Sequence, residues 1–376
     1  MEERKENAYP ELEYFFCHIE GVGFRTLKKL VDRVPNWEKA YELPQKQLEE
    51  LLGSKMAELI VERKKQANPL QMWKQLQQQE ILFASYWNSV YPETLRCIQE
   101  PPKALYALGK MPSPEEKRVA VIGARACSEY GRRMARQFGE DLAGQGIAVV
   151  SGMARGIDGI SQRYALEAGG ISYAVLGCGV DVCYPRENRA LYDTLRVQGG
   201  ILSEYVPGTE AKAQLFPPRN RIISGLSDVI VVVEARKKSG TIITVDMALE
   251  QGKEVMVVPG RVGDGLSEGC NDLLRQGAAP VLESADILKL LGMEEKGNRK
   301  GADGTSQEER AGLSGKERLL YALLDEYPRS IDELARDLIY RREEMDYSGL
   351  CRILHSLCRK GVARQEGNTH FVKVKA

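Results

Sequence analysis

Five short stretches hold the residues whose types and spacing could do chemistry. They are Gly123-Ala-Arg125 with Ser128 behind it; Ser151 to Asp158, carrying Gly152, Arg155 and Gly156; Leu176 to Asn188, carrying Arg186; Phe216-Pro-Pro-Arg219-Asn220-Arg221; and Glu234 to Thr241, carrying Lys238, Ser239 and Gly240. Glycines expose main-chain N–H groups to an oxyanion, arginines offer planar donor forks, and a phenylalanine offers a ring to a base. The set suits several phosphates with a base stacked nearby. These stretches hold eight basic residues against four acidic ones, whereas the whole chain balances 53 against 53. Acid–base chemistry is poorly served: no histidine lies between His18 and His355, so a His-dependent triad cannot be assembled. Asp158 and Asp181 could pair as carboxylates, but each follows a glycine turn, where an acidic side chain caps a helix or braces a loop.

The first stretch is the one to build on. Val119 to Ile122 reads as a strand, Gly123 as a tight loop, and Ser128 as the N-cap of a helix. In a parallel α/β sheet such a loop lies at the carboxyl end of its strand, where amides and helix dipole favour an anion. The expectation is a phosphate site with Arg125 as its fixed charge; a structural turn with an exposed arginine has the same signature. A dinucleotide fingerprint needs G-x-G-x-x-G here, and Gly123 stands alone. A nicotinamide or flavin enzyme is thereby disfavoured, and no cofactor is expected.

The elements that must position these loops alternate from Arg118 to about Leu291. Strands are expected at Val119–Ile122, Ala148–Ser151, Ser172–Leu176, Ile201–Ser203, Val229–Val233 and Val255–Val258, separated by helical patterns. Right-handed crossovers bring the loops after them to one edge of a parallel sheet. Ahead of it, residues 1–70 read as a helical domain, with Gly21-Val-Gly23 resembling a helix-hairpin-helix turn; contact with DNA and a structural or protein-binding role both fit. Strand-like Ile81–Ala84 and Ala104–Leu108 add edge structure to the central domain, 71–292, with Tyr86, Trp87 and Tyr91 read as packing residues. Residues 293–312 are apolar-poor and glycine-rich, hence a linker. In 313–376, helical patterns at Glu317–Leu324, Ile331–Ala335 and Leu350–Arg359 precede two strands, the arrangement of a winged helix. Its surplus of two basic residues does not choose between DNA and protein contact.

Composition narrows the class further. Eight cysteines without a C-x-x-C pair argue for reduced cytoplasmic thiols, with neither a zinc ribbon nor any other metal site expected. No segment approaches the ~20 apolar residues of a membrane span.

In order, Gly123-Ala-Arg125 with Ser128, Ser151-Gly152 through Asp158, Leu176 to Gly179 with Tyr184-Pro185 and Asn188, Ser203-Glu204, Phe216 to Ser227, Lys238 to Thr241 and Val258-Pro-Gly260 resemble the DNA processing protein A family, DprA or Smf. The resemblance implies an extended Rossmann-like domain flanked by a sterile-alpha-motif-like or helix-hairpin-helix front and a winged-helix tail. It implies a non-enzymatic, dimeric protein that binds and protects single-stranded DNA and loads the RecA recombinase in natural transformation, with single-strand-binding protein as a further partner. Residue by residue, Arg125, Gly152, Gly156, Arg219, Asn220 and Arg221 would line a phosphate pocket, with Gly123, Ser128 and Arg155 in its loops. Phe216 would stack on a base, Lys238 to Thr241 would close the far side, and Arg186 and Asn188 would border it. Where the family often carries Ala-His after Gly-Ile-Asp, this chain has Ser161-Gln162, read as a helix-packing position.

Two other functions use the same fold. A nucleotide phosphoribohydrolase would need a glutamate where Thr244 stands, and threonine is no general base at neutral pH. A nucleotide sensor would bind a small phosphorylated ligand in the same pocket.

Overall fold

A computed structural model of the chain describes residues 9–294, 312–324, 328–340 and 345–374. The expected linker lies almost wholly outside the described residues. Internal contacts divide the chain into two units, one ending at Lys296 and one beginning at Gly297.

The first unit is built on a nine-stranded sheet: β1 (Leu82–Ser85), β2 (Ala104–Gly109), β3 (Arg118–Ile122), β4 (Ala148–Ser151), β5 (Ser172–Val175), β6 (Gly200–Ser203), β7 (Val229–Val232), β8 (Glu254–Val257) and β9 (Ala279–Pro280). Their spatial order is β1-β2-β6-β5-β4-β3-β7-β8-β9, parallel from β6 through β9 and antiparallel at the β1–β2–β6 edge. Every residue of β3, β4, β5 and β7 is buried, because helices cover both faces and leave no polar alternation. The strands foreseen from the sequence are all present, with ends shifted by at most one residue; β9 was not foreseen, being only two exposed residues long.

Helices run in the order α1 (Pro10–His18), α2 (Phe24–Val31), α3 (Trp37–Glu42), α4 (Gln45–Leu52), α5 (Ser54–Gln66), α6 (Pro69–Gln78), α7 (Glu93–Arg96), α8 (Glu129–Gly144), α9 (Ile157–Glu167), α10 (Arg189–Gln198), α11 (Phe216–Leu226), α12 (Gly240–Glu250), α13 (Glu268–Arg275) and α14 (Ser284–Leu290). Alternation along β3 sorts them into layers. Val119 and Val121 face Phe138 and Leu142 of α8, Ala165 of α9 and Ile287 of α14; Ala120 and Ile122 face Ile222 of α11, Val245 of α12 and Leu273 of α13. The chain steps β3, β4, β5, β6 in one direction, then returns to place β7 on the other side of β3. Loops after β3 and β7 therefore diverge, opening a crevice at the carboxyl edge.

The helices before β1 share an apolar core with the antiparallel end of the sheet. The Tyr14 ring meets Phe83 at 5.3 Å and Tyr106 at 6.3 Å, and Phe24 meets Tyr86 at 4.7 Å. Lys103 donates to the carbonyl oxygens of Ile19 and Val22 at 3.1 and 2.6 Å, fixing the turn before α2. Tyr86, Trp87 and Tyr91 thus pack inward. Val255–Val257 lie in β8 as core, while Ile243 and Leu249 on α12 stay exposed.

The second unit has helices Gly315–Leu323, Ile331–Tyr340 and Tyr347–Arg359 and a sheet ordered β10 (Arg329–Ser330), β12 (His370–Lys373), β11 (Ala363–Glu366). Leu320, Leu334, Leu350, Leu354 and Phe371 form its core. The last two helices are longer than their apolar patterns suggested, the third starting at Tyr347 because the Asp346 side chain accepts from Gly349 N–H.

Candidate nucleic-acid interface

The N-terminus of α8, where the sequence suggested a phosphate, is already filled by a carboxylate of this chain. Glu234, at the end of β7 and 2% exposed, accepts from the Ser128 N–H at 2.9 Å through one oxygen and from the Ser128 hydroxyl through the other. Ser128 in turn caps the helix by accepting from Gly131 N–H at 3.1 Å. Ser128 is thus the N-cap its position suggested, and it also braces Glu234. Gly123 has the same kind of role: a Cβ there would lie 2.7 Å from Ile157 and 3.0 Å from the Glu234 carbonyl oxygen.

The β4–α9 loop is held from beneath. Asp158 accepts from Gly152 N–H at 3.1 Å, and Arg219, 5% exposed, donates to the Gly152 carbonyl at 3.1 Å and to that of Val175. Burial pulls the Arg219 guanidinium down to about 10, with Asp158 opposing that effect; burial raises the Asp158 carboxyl, with Arg219 opposing. A Cβ on Gly152 would meet Arg219 at 2.7 Å. Gly156, at φ 75°, lets the β3 loop pass so closely that a Cβ would lie 2.2 Å from the Ala124 oxygen. Asn188, buried, donates to the carbonyls of Met153 and Ala154 at 2.9 and 3.3 Å. Gln162 accepts from Met153 N–H at 2.9 Å and donates to Tyr173 O at 3.1 Å, a packing position as its sequence context suggested. Asp181 accepts from Gly208 N–H at 2.8 Å, bracing a different loop from the one Asp158 holds.

Outside this scaffold lies a second layer that faces solvent. The Arg125 guanidinium stands 5.9 Å from the Phe216 ring centroid, and the other partner of Phe216 is Tyr184, stacked at 5.2 Å and 26°. Arg125 is exposed, Phe216 half-buried, and Tyr184 42% exposed. Phe216 fits because Gly177 has no Cβ, which would otherwise lie 2.7 Å from its ring. Arg155 pairs loosely with Glu187 at 3.3 Å, both exposed, and Arg186 is exposed beside them. Arg221 forms a bidentate pair with Glu204 at 2.6 and 2.7 Å and donates to the Glu100 carbonyl at 2.8 Å, while Asn220 accepts from Arg219 at 3.1 Å.

The N-terminus of α12, on the same edge, is differently furnished. Arg236, Lys237 and Lys238 are exposed just before α12, whose first turn carries no acidic residue. Its N-cap Ser239 makes no capping hydrogen bond, and a Cβ on Gly240 would meet nothing within 4 Å. Thr241 follows in the first turn. A helix end with exposed lysines and open backbone attracts phosphate. Thr244, one turn on, is buried with its hydroxyl donating to Gly240 O at 3.3 Å.

Sequence reasoning missed Tyr184 and Glu234 as members of this arrangement. Tyr184 lay two residues from Arg186 in a stretch already singled out. Glu234 stood 106 residues from the serine it meets.

A family model described as DNA recombination-mediator protein A matches residues 82–292. The chain belongs to this family. Among DNA recombination-mediator protein A relatives, protein Smf of Synechocystis sp. is 35% identical over 74% of this chain and 71% of its own length. Protein Smf of Escherichia coli is 45% identical over 54% of each chain, so this chain spans about half the length of that relative. The crystal structure of DNA processing protein A from Streptococcus pneumoniae matches with TM-score 0.66 and 33% identity over 74% of this chain and 97% of that one. DNA processing protein A from Helicobacter pylori, described in a single-stranded DNA binding mode, matches with TM-score 0.52 and 29% identity over 56% of this chain and 95% of that one. Among the described residues no helix is long and apolar enough to cross a membrane, and no three His, Cys, Asp or Glu residues gather as a metal site.

Proposed function

We propose that this chain binds single-stranded DNA along the carboxyl edge of the sheet and presents the strand to the RecA recombinase, acting as a cytoplasmic homodimer and not as an enzyme. The observation that carries the reading is the Arg125–Phe216–Tyr184 layer, a cation and two accessible rings stacked at the switch point. Every base has a π-face, so such a layer holds a strand without reading it. Arg125, Arg155, Arg186 and the 236–241 segment at the start of α12 would receive successive phosphates. Gly123, Ser128, Gly152, Gly156, Asn188, Arg219, Asn220 and Arg221 would act from beneath by fixing the loops. Single-strand-binding protein is a further proposed partner. The relative from Helicobacter pylori supports this reading by its single-stranded DNA binding mode. The helices before β1 are proposed to be a sterile-alpha-motif-like or helix-hairpin-helix domain within residues 1–70, joined to a DNA-binding domain over 71–292, a linker over 293–312 and a winged helix over 313–376.

Fluorescence anisotropy with oligo-dT of increasing length, and matched duplex as control, tests the central claim. Affinity should rise with length, favour single strands and fall with salt. Arg125→Ala should lower the slope of log K against log salt by about 0.7 if it meets one phosphate. Preference for duplex, or unchanged binding by Arg125→Ala and Phe216→Ala, would move the DNA site elsewhere.

A further inference from the structure

We infer that Glu234 is a resident anion that sets the ligand class of this edge, filling the phosphate position at the α8 N-terminus so that small phosphorylated ligands are refused there. The inference rests on the strand-binding reading above and deepens it. In an open parallel sheet the helix after the strand at the switch point is where a phosphate ordinarily sits, held by the first amides of that helix. Of the donors here, the Ser128 N–H and hydroxyl and the Gly131 N–H are engaged within the chain. Ser128 turns both its N–H and its hydroxyl to Glu234, and its oxygen accepts from Gly131.

The surroundings are shaped to that carboxylate. A Cβ on Gly131 would lie 2.4 Å from Glu234 Oε2 and 2.5 Å from Cδ, so the first turn of α8 must carry glycine for the side chain to fit. Gly123 lets the Glu234 main chain approach the end of β3 in the same way. An incoming phosphate would have to displace a buried carboxylate that already holds these donors, and as a like charge it is repelled before it arrives. The ligand is left with the outer layer of arginine and rings, a surface open along the sheet edge and suited to a polymer. Selection of strand over mononucleotide follows from one side chain.

The test is isothermal titration of inorganic pyrophosphate into the full chain and into Glu234→Ala, with oligo-dT binding by the unaltered chain measured in parallel. Glu234→Ala is expected to bind pyrophosphate at least about tenfold more tightly than the unaltered chain. Equal affinity, with oligo-dT binding by the unaltered chain intact, would overturn the resident-anion proposal alone. Failure of the unaltered chain to bind oligo-dT would instead remove the reading on which it rests. Glu234→Ser, whose hydroxyl can still accept from Ser128, is the second variant should alanine not fold. Hydrogen exchange of the unaltered chain supplies a measurement that needs no variant: millimolar pyrophosphate should leave the 128–134 segment unchanged, and protection of that segment would overturn the proposal.

Discussion

Arg219 and Gly152 lie 67 residues apart and meet through a 3.1 Å hydrogen bond from the guanidinium to the glycine carbonyl, while the same glycine donates its N–H to Asp158. One main-chain unit is thus clamped by a buried cation on one side and a buried anion on the other. Arg219→Ala would leave Asp158 buried without its compensating charge, which costs about 3–5 kcal/mol. Urea unfolding should show that loss, and any fall in DNA affinity should accompany it. A variant of unchanged stability that no longer binds DNA would instead make Arg219 a phosphate ligand.

Phe216→Ala should behave in the opposite way. Its ring is half-buried against Tyr184, so stability should change little, while affinity for oligo-dT should fall by about 1–3 kcal/mol. Phe216→Tyr keeps a π-face and should retain binding. The same anisotropy titration reads both variants.

Glu204→Gln breaks the bidentate pair with Arg221, a pair whose side chains are each 17% exposed. A charge-assisted hydrogen bond of this kind contributes about 1.5–3 kcal/mol, so thermal unfolding should shift downward. If Arg221 is structural, DNA affinity should be unchanged at temperatures where the variant is folded. Tighter binding in Glu204→Gln would show that the freed guanidinium reaches the strand.

The second unit should have its own acid sensitivity. Glu317 accepts from Lys360 at 2.8 Å, from Ser314 N–H at 2.7 Å and from Ser356 at 2.7 Å, and these bonds, that of Lys360 foremost, hold its carboxyl down at about 2 instead of 4.5. A lowered folded value stabilises above the unfolded value and is lost as pH falls through the interval from 4.5 towards 2. Calorimetry of the full chain at pH 5 and pH 3 should show the second unit losing more stability than in Glu317→Gln. Equal losses would mean that the carboxylate network is not coupled to folding.

The parallel sheet was legible because strands covered on both faces must be apolar throughout, as Val229–Val232 are, and because the glycines after them mark turns. The candidate site was legible as a set of loops but not as a division of labour within them. Arg125 and Arg219 look alike in sequence; one faces solvent and the other is sealed under Gly152, a difference set by which face of α11 meets the sheet. Ser128 was legible as an N-cap, but its bond to Glu234 was not, since nothing local announces that Glu234 arrives from the neighbouring strand. The third helix of the second unit was expected to start too late for a different reason: its first turn, Tyr347 to Gly349, carries no core residue, so the apolar pattern begins after the Asp346 cap does.

The contact of Tyr14 with Phe83 and Tyr106 bears on how this protein can be dissected. A fragment beginning near residue 70 would retain the whole parallel sheet and its proposed strand-binding edge, yet it would strip the aromatic cover from β1 and β2 and leave Lys103 without its two carbonyl partners. What remained would carry a bare ring-lined face at the antiparallel end, prone to self-association. Trimming the chain to its most recognisable part would therefore alter its solution behaviour at a place far from the bases it is proposed to hold.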